Sequence, residues 1–439
     1  MNAIVLAVIV MIGLCLLRVN VVLALIIGAI IGGATSGLHI QETIELFTEG
    51  LGNSAEVALS YAVLGAFAVT IARTGLPEAV VSLALKLVGS REGNIEKNYS
   101  RVLILLVVLI MSCFSQNLIP IHVAFIPILI PPLLKVFNEL KMDRRLVSAV
   151  ITFGLITPYM WLPTGFGAIY HDILYTNMTS SGLSIEKSEI ARAMTIPSLG
   201  MIFGLLIAAF ISYKRPRDYG VSEPLAGGDS TISYSWRKVA FTFVAIIVAL
   251  FVQLSFDSMI FGALAGIVTL YLTGSAPFRE GDRLFSEGMK LMAFIGFVML
   301  ASSGFANVIK ATGHIEQLVK ASVQFVGESQ LLGAMFMLLV GLLVTMGIGS
   351  SFSTIPIIAA IFVPLCMELG YSSMATIAII GAAGALGDAG SPASDSTLGP
   401  TSGLNADGKH NHIWDTCIPT FLHFNIPLIL FGLIAVMVL

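Results

Sequence analysis

Two carboxylates, Asp388 and Asp395, fall in the run Gly387-Asp388-Ala389-Gly390-Ser391-Pro392-Ala393-Ser394-Asp395-Ser396-Thr397. This run interrupts an apolar stretch that begins near Ala375 and continues into the 400s. A carboxylate at membrane depth is costly, and by default it marks an ion path, a substrate path or a proton relay. Carboxylates beside Ser and Thr oxygens suit a hard cation such as Na+. A carboxyl with a raised pKa could exchange a proton for that cation. Asp395 lies past Pro392 among Ser394, Ser396 and Thr397, which makes it the expected primary cation ligand. Asp388 lies at the end of the entering half-helix, whose partial negative charge favours the protonated carboxyl, so it is the expected protonatable partner. Ser391 adds another hydroxyl. A solvated loop could carry the same residues, but it would not continue an apolar span.

Three other polar breaks are candidates to meet this one. Ser115-Gln116-Asn117 interrupts the apolar residues 103–134, and Ser350-Ser351-Phe352-Ser353-Thr354 interrupts residues 330–366. Thr157-Pro158-Tyr159-Met160-Trp161-Leu162-Pro163-Thr164-Gly165 breaks a further span and contains no acid. Thr157 and Thr164 are its candidate ligands, and acid–base work is expected in the second half. The tips offer hydroxyls, amides and freed carbonyls to a solute or ion; as plain turns they would only cap helix ends. His122, Asp415, His423, Asn425 and Glu56 are weaker candidates. His410-Asn411-His412 reads as a cytoplasmic loop with too few partners for a metal site.

Composition explains why these residues sit in a membrane. Of 439 residues 56% are hydrophobic and only 11% charged, against about 25% charged in a soluble domain. The mean hydropathy is +0.93. A formal net charge of −3 argues against a nucleic-acid surface. The four cysteines, Cys15, Cys113, Cys366 and Cys417, form no C-x-x-C pair and so no thiolate metal site or disulfide framework. Aromatic residues, at 9%, suggest no aromatic-rich ligand groove. Apolar runs at 3–17, 19–36, 53–74, 146–170, 193–212, 238–255, 258–273, 290–309, 373–396 and 418–439 approach or exceed the length of a membrane helix. They run continuously instead of alternating as barrel strands would. The expected fold is an all-α polytopic membrane protein with about 10 transmembrane helices.

Residues 103–134 would make about 48 Å of helix, too long for one crossing of a core about 30 Å thick. Lys86, Arg91, Lys97 and Arg101 precede this stretch, and Lys135, Lys141, Arg144 and Arg145 follow it. Both flanks are therefore cytoplasmic by charge, and the segment enters and leaves on one side. Its polar tip favours a re-entrant hairpin. Phe47-Thr48-Glu49-Gly50 recurs as Phe285-Ser286-Glu287-Gly288, and at the same offset of 238 Phe67 falls on Phe305. Ser115 with Ile119-Pro120-Ile121 resembles Ser351 with Ile355-Pro356-Ile357. The chain thus reads as two five-span repeats, 1–213 and 238–439, each with a re-entrant hairpin, joined by a cytoplasmic linker at 214–237. Five crossings is an odd number, so the second copy is inverted. On this topology 19 of the 23 Lys and Arg residues lie inside and both termini lie outside. Inverted repeats with paired broken helices point to a secondary transporter whose site is near the bilayer midplane.

The run from Gly387 to Thr397 resembles the G-D-x-x-S-P-x-S-D-x-T motif of the NhaC-type Na+/H+ antiporter family. The layout of nearly the whole chain is similar to the wider ion transporter superfamily, which includes dicarboxylate/sodium symporters. The resemblance implies ion-binding roles for Asp388, Ser391, Ser394, Asp395 and Thr397. It also places Ser115, Asn117, Ser351, Ser353 and Thr354 at hairpin tips that hold Na+ and substrate. The first tip reads Ser-Gln-Asn where the symporters carry Ser-Asn-Thr, and residues 157–165 lack the acid of an antiporter's first half. Some members of this broad family resemble amino-acid transporters, and neutral tips without a second acid site fit a small organic solute.

The sequence therefore predicts a multi-pass plasma (inner) membrane transporter. It would couple a Na+ or H+ gradient to movement of a small solute, an amino acid first, by alternating access. The alternative is a Na+/H+ antiporter without organic substrate. Expected partners are the solute, a cation (Na+ at Asp395 and Asp388) and the lipid bilayer, without nucleic acid; a homodimer is compatible. No cofactor beyond Na+ or H+ and no enzymatic activity is expected. A channel would be expected to show a filter or pore-lining ring. An intramembrane aspartyl protease would need Gly at position 385, which is Ala, and a Tyr-Asp partner motif.

Overall fold

The computed structural model describes residues 2–17, 19–52, 55–76, 79, 94–117, 122–220, 235–256, 258–314, 317 and 329–439. Every described element is helical. The first half contains α1 (Ala3–Leu16), α2 (Val21–Ser36), α3 (Ile40–Gly52), α4 (Ala55–Ala72), α5 (Asn94–Asn117) and α6 (His122–Glu139). It continues with α7 (Arg144–Trp161), α8 (Phe166–Ser180), α9 (Lys187–Ala193) and α10 (Thr195–Ile207), which ends in a π turn, Ala208–Ser212. The second half contains α11 (Trp236–Phe256), α12 (Met259–Leu272), α13 (Gly281–Ala311), α14 (Gln330–Ile348), α15 (Ser351–Glu368), α16 (Ser373–Ala385) and α17 (Asp395–Leu404). Its last span holds two π turns, His412–Cys417 and Phe421–Asn425, before α18 (Ile426–Val438).

Among the described residues, four helical segments are long and apolar enough to cross a membrane: Lys187–Ser212, Trp236–Gln253, Gln330–Ile348 and His412–Val438. α7 and α8 form a broken span bent by 47°. Other apolar stretches cover 10–17 residues, among them Ala3–Cys15, Val21–Ser36, Met259–Leu272 and Ser373–Ala385. Large apolar side chains such as Phe251, Phe261 and Leu272 point outward, as expected of a surface whose solvent is hydrocarbon.

The helices pack in two groups. α1–α4 lie with α11–α13, and α7–α10 lie with α14–α18. In the first group two glycine–phenylalanine contacts are reciprocal in sequence position. Gly28 packs beneath the ring of Phe305, where a Cβ would stand 3.0 Å from it, and Gly266 packs beneath Phe67, where a Cβ would stand 2.5 Å away. Each contact becomes the other when 238 is added to one residue number and subtracted from the other. Two copies related by a two-fold pack in this reciprocal way.

The apolar run at 290–309 is the C-terminal part of one 31-residue helix, α13, which begins at Gly281.

Candidate functional site

The broken span of the second half is built by its glycines. α16 stops at Ala385, and Gly387 and Gly390 follow at φ +90° and +87°, a region that side chains disfavour. The chain restarts at α17, whose N-cap Ser394 accepts from the Ser396 N–H. Between these ends Asp388 is 8% exposed.

Asp388 gathers hydroxyls from three elements. Ser351, the first residue of α15, donates to Oδ2 at 2.6 Å. Tyr159, from the last turn of α7, donates to the same oxygen. Ser394 donates to Oδ1 at 3.1 Å. Tyr159 and Ser351 lie 3.1 Å apart and each is 1% exposed. The N-terminal ends of α15 and α17 thus both meet the carboxylate, and their partial positive charge favours an anion there. Phe352, Tyr170 and Phe166 close over the cluster, with Tyr159 and Tyr170 ring centroids 5.0 Å apart. The composition did not suggest this aromatic cover; 9% suffices because the rings converge from α7, α8 and α15.

The remaining predicted residues divide into several groups. Thr397 donates to the carbonyls of Ser391 and Ser394, and Ser391 Oγ accepts from the Ala393 N–H, so these residues brace the break. The Ser396 carbonyl accepts from Thr152 of α7. Thr354 donates to the Ser350 carbonyl within the first turn of α15. Thr157 is buried with its hydroxyl unpartnered, whereas Thr164 is exposed. The side chains of Ser115, Gln116, Asn117, His122 and Ser353 lie outside the described residues, as do residues 118–121 of the first tip.

The hydroxyls of Tyr159, Ser351 and Ser394 gather on Asp388, the expected protonatable partner of Asp395. Asp395 occupies the first turn of α17 and is half-buried. Tyr159 was missed as a partner: it lies in the acid-free break of the first half, yet its phenol reaches the acid of the second. Its proximity to Pro158 and Pro163, which break the span, was the available signal.

His410 and His412, read from the sequence as part of a cytoplasmic loop, are buried. His412 bridges Thr401 at 2.8 Å and the Pro392 carbonyl at 2.9 Å, and His410 lies 2.7 Å from Thr416. They line a cavity of about 450 Å³ with Asn405, Lys409 and Asp415. Burial pushes His410 down to about 3. Beside them Arg144, fully buried, forms a two-pronged ion pair with Asp407 at 2.6 Å and donates to the Leu404 carbonyl at 2.9 Å. Arg217 reaches Asp415 at 3.1 Å, and the Tyr219 ring lies against both arginines. Burial, reinforced by Asp143, pushes Tyr219 up to about 12. These contacts tie the start of the linker and α7 to the loop after α17.

Among the described residues no group of three His, Cys, Asp or Glu side chains could hold a metal. The donors around Asp388 are one carboxylate and neutral hydroxyls, a set suited to Na+ or a proton as cargo and poorly suited to a transition metal.

A model of the Na+/H+ antiporter family matches residues 150–433, which include Tyr159, Ser351, Asp388 and Ser394, and a second Na+-H+ antiporter family model matches residues 2–88. The chain belongs to the Na+/H+ antiporter family. It is 56% identical, over the full length of both chains, to a Bacillus subtilis (strain 168) protein named "Putative amino acid transporter YuiF". It is 51% identical to a membrane protein of Vibrio parahaemolyticus over the full length of both, and 46% identical to one of Haemophilus influenzae over 100% of this chain and 99% of that one. Among solved structures, the Alcanivorax borkumensis YdaH transporter aligns over 90% of this chain and 88% of its own, with a TM-score of 0.41 and 16% identity. Neisseria gonorrhoeae MtrF aligns over 90% and 84%, with 0.41 and 15%. The protein is a secondary transporter of the plasma membrane, an all-α multi-pass chain as its sequence predicted.

Proposed function

We propose that this chain couples a Na+ or H+ gradient to the movement of a small solute, an amino acid first, by alternating access around Asp388. The observation that carries this reading is the convergence of Tyr159, Ser351 and Ser394 on one buried carboxylate. One negative charge can be balanced by one cation or by one proton, so the two compete for the site. Each hydroxyl now spends its hydrogen on the carboxylate and keeps lone pairs that can turn toward Na+. Protonation removes the charge that holds the metal and restores a neutral cluster. Tyr159 comes from the first half and the other groups from the second, so occupancy is felt by both. The name of the Bacillus subtilis relative supports an amino acid as the solute.

The reading includes two inverted repeats, 1–213 and 238–439, joined by the linker 214–237, with both termini outside. The reciprocal glycine contacts support it. A second reading, Na+/H+ exchange without an organic solute, is favoured by the family model over residues 150–433.

Purified protein in liposomes, with a panel of radiolabelled amino acids and carboxylates and imposed Na+ or pH gradients, tests both. Gradient-driven amino-acid uptake is the expected result. Na+-for-H+ exchange with no solute uptake would establish the second reading. A protein that moves neither ion nor solute would overturn both.

A further inference from the structure

In the arch that carries Asp388, a single side chain bonds two main-chain groups. Asn425 is 1% exposed, at the end of the second π turn of the last span. Its Oδ1 accepts from the Gly387 N–H at 3.0 Å, and its Nδ2 donates to the Ala389 carbonyl at 2.6 Å. The two peptide groups, Leu386–Gly387 and Ala389–Gly390, lie at either end of the three-residue segment centred on Asp388. A carboxamide both accepts and donates through two atoms of fixed separation, without carrying a charge. Gly390, next in the arch, packs against Phe421 of the same π turn, with its φ of +87°. The break is therefore held by the last span, and the winding of that span sets where Asn425 stands. Sequence reading left Asn425 among the weak candidates, because its partners are backbone groups that no motif displays.

We propose that Asn425 is a positioning residue for the ion site: its carboxamide fixes the peptides on both sides of Asp388, so that the carboxylate faces Tyr159, Ser351 and Ser394. This rests on the transport reading above only for what the site does; the clamp itself is a statement about the arch. Asn425 touches neither ion nor solute in this scheme. It acts through the orientation of Asp388, so its loss weakens ion binding more than it slows turnover.

The test compares wild type with Asn425→Ala, Asn425→Asp and Asn425→Gln, each normalised to folded protein by size exclusion and thermal melting. Gradient-driven uptake in liposomes gives the apparent KM for the coupling ion and the Vmax. Asn425→Ala is expected to raise that KM about tenfold or more with a smaller change in Vmax, because two buried backbone groups lose their partner. A purely structural role would lower the folded amount and leave the KM of the remainder unchanged. Asn425→Asp keeps the acceptor but sets a carboxylate oxygen against the Ala389 carbonyl. Only its protonated form both accepts and donates, so its activity relative to wild type should recover as the pH falls from 8 to 5. Asn425→Gln, one methylene longer, should not recover. Hydrogen exchange over residues 386–390 provides the readout independent of transport: Asn425→Ala should speed exchange there and leave α1–α4 unchanged. Wild-type KM in Asn425→Ala, or unchanged exchange over the arch, overturns the proposal. Faster exchange in a protein whose wild type moves no ion or solute would uphold the clamp and overturn the transport reading instead.

Discussion

Tyr159 and Asp388 are 229 positions apart, and the phenol of the first donates its hydrogen to the carboxylate of the second. One residue closes a broken span that has no acid; the other opens a broken span that carries two. The chemical asymmetry of the two halves of the chain thus meets at a single oxygen, to which the first half contributes a donor and the second a charge.

Asp388→Asn should abolish gradient-driven uptake while the protein still elutes as a folded species, because the one buried negative charge of the cluster is removed. Asp395→Asn should retain uptake with a weakened response to the coupling ion. This reverses the order expected from the motif alone. Initial rates in liposomes across pH 5 to 9 decide it: full loss in Asp395→Asn with activity in Asp388→Asn would restore the original order.

Tyr159→Phe and Ser351→Ala should each raise the apparent KM for the coupling ion about tenfold, since each removes a hydrogen bond to a charged group. Both donate to the same carboxylate oxygen, so the double variant should fall short of the product of the two effects. Fully multiplicative effects would show that the two hydroxyls do not share the site.

Arg144→Leu should destabilise the protein severely, on the order of 3–5 kcal/mol, by leaving Asp407 buried without its partner. The pair Arg144→Met with Asp407→Leu should recover much of the loss, because it buries no charge. Thermal melting in detergent compares the three proteins. A double variant less stable than either single one would show that the pair contributes more than mutual neutralisation.

The depressed His410 makes stability depend on pH. Its pKa falls from 6.5 to about 3 on folding, because burial penalises the imidazolium. Between those values the unfolded chain binds a proton that the folded one refuses. The contribution of neutral His410 is therefore full above pH 6.5 and is lost as the pH falls toward 3. His410→Gln should melt with a shallower loss over that window than wild type. Parallel curves would place the acid sensitivity elsewhere.

Labelling tests the orientation. A single cysteine at Glu139 should react with an impermeant maleimide from the cytoplasmic side, and one at Glu186 from the outside, as the distribution of Lys and Arg requires. Labelling of Glu139 only from outside would invert the scheme.

Composition and run length made the helical class legible, and the positions of most spans with it, because a bilayer imposes one length and one polarity on every crossing. The breaks were legible too, as Pro163 and Gly165 in one half and Gly387, Gly390 and Pro392 in the other. What the sequence did not display was which side chains face each other. The Tyr159–Asp388 contact depends on how α7 rotates against α15, and Asn425 bonds only to backbone. The burial of His410 and His412 was hidden for a related reason: their partners are Thr401, Thr416 and the Pro392 carbonyl, which no motif displays.

That ion pair also bears on how the protein is made. Arg144 waits for a carboxylate 263 positions downstream. At about 5–20 residues per second, the ribosome supplies it roughly 13 to 53 s later. Until then the guanidinium must stay in water or in the headgroup layer, so the first half cannot settle into its final packing while the second is being inserted. The assembly of this membrane protein is thereby timed by its own C-terminal region, and a truncated product would carry an unmet cation that quality-control proteases could recognise.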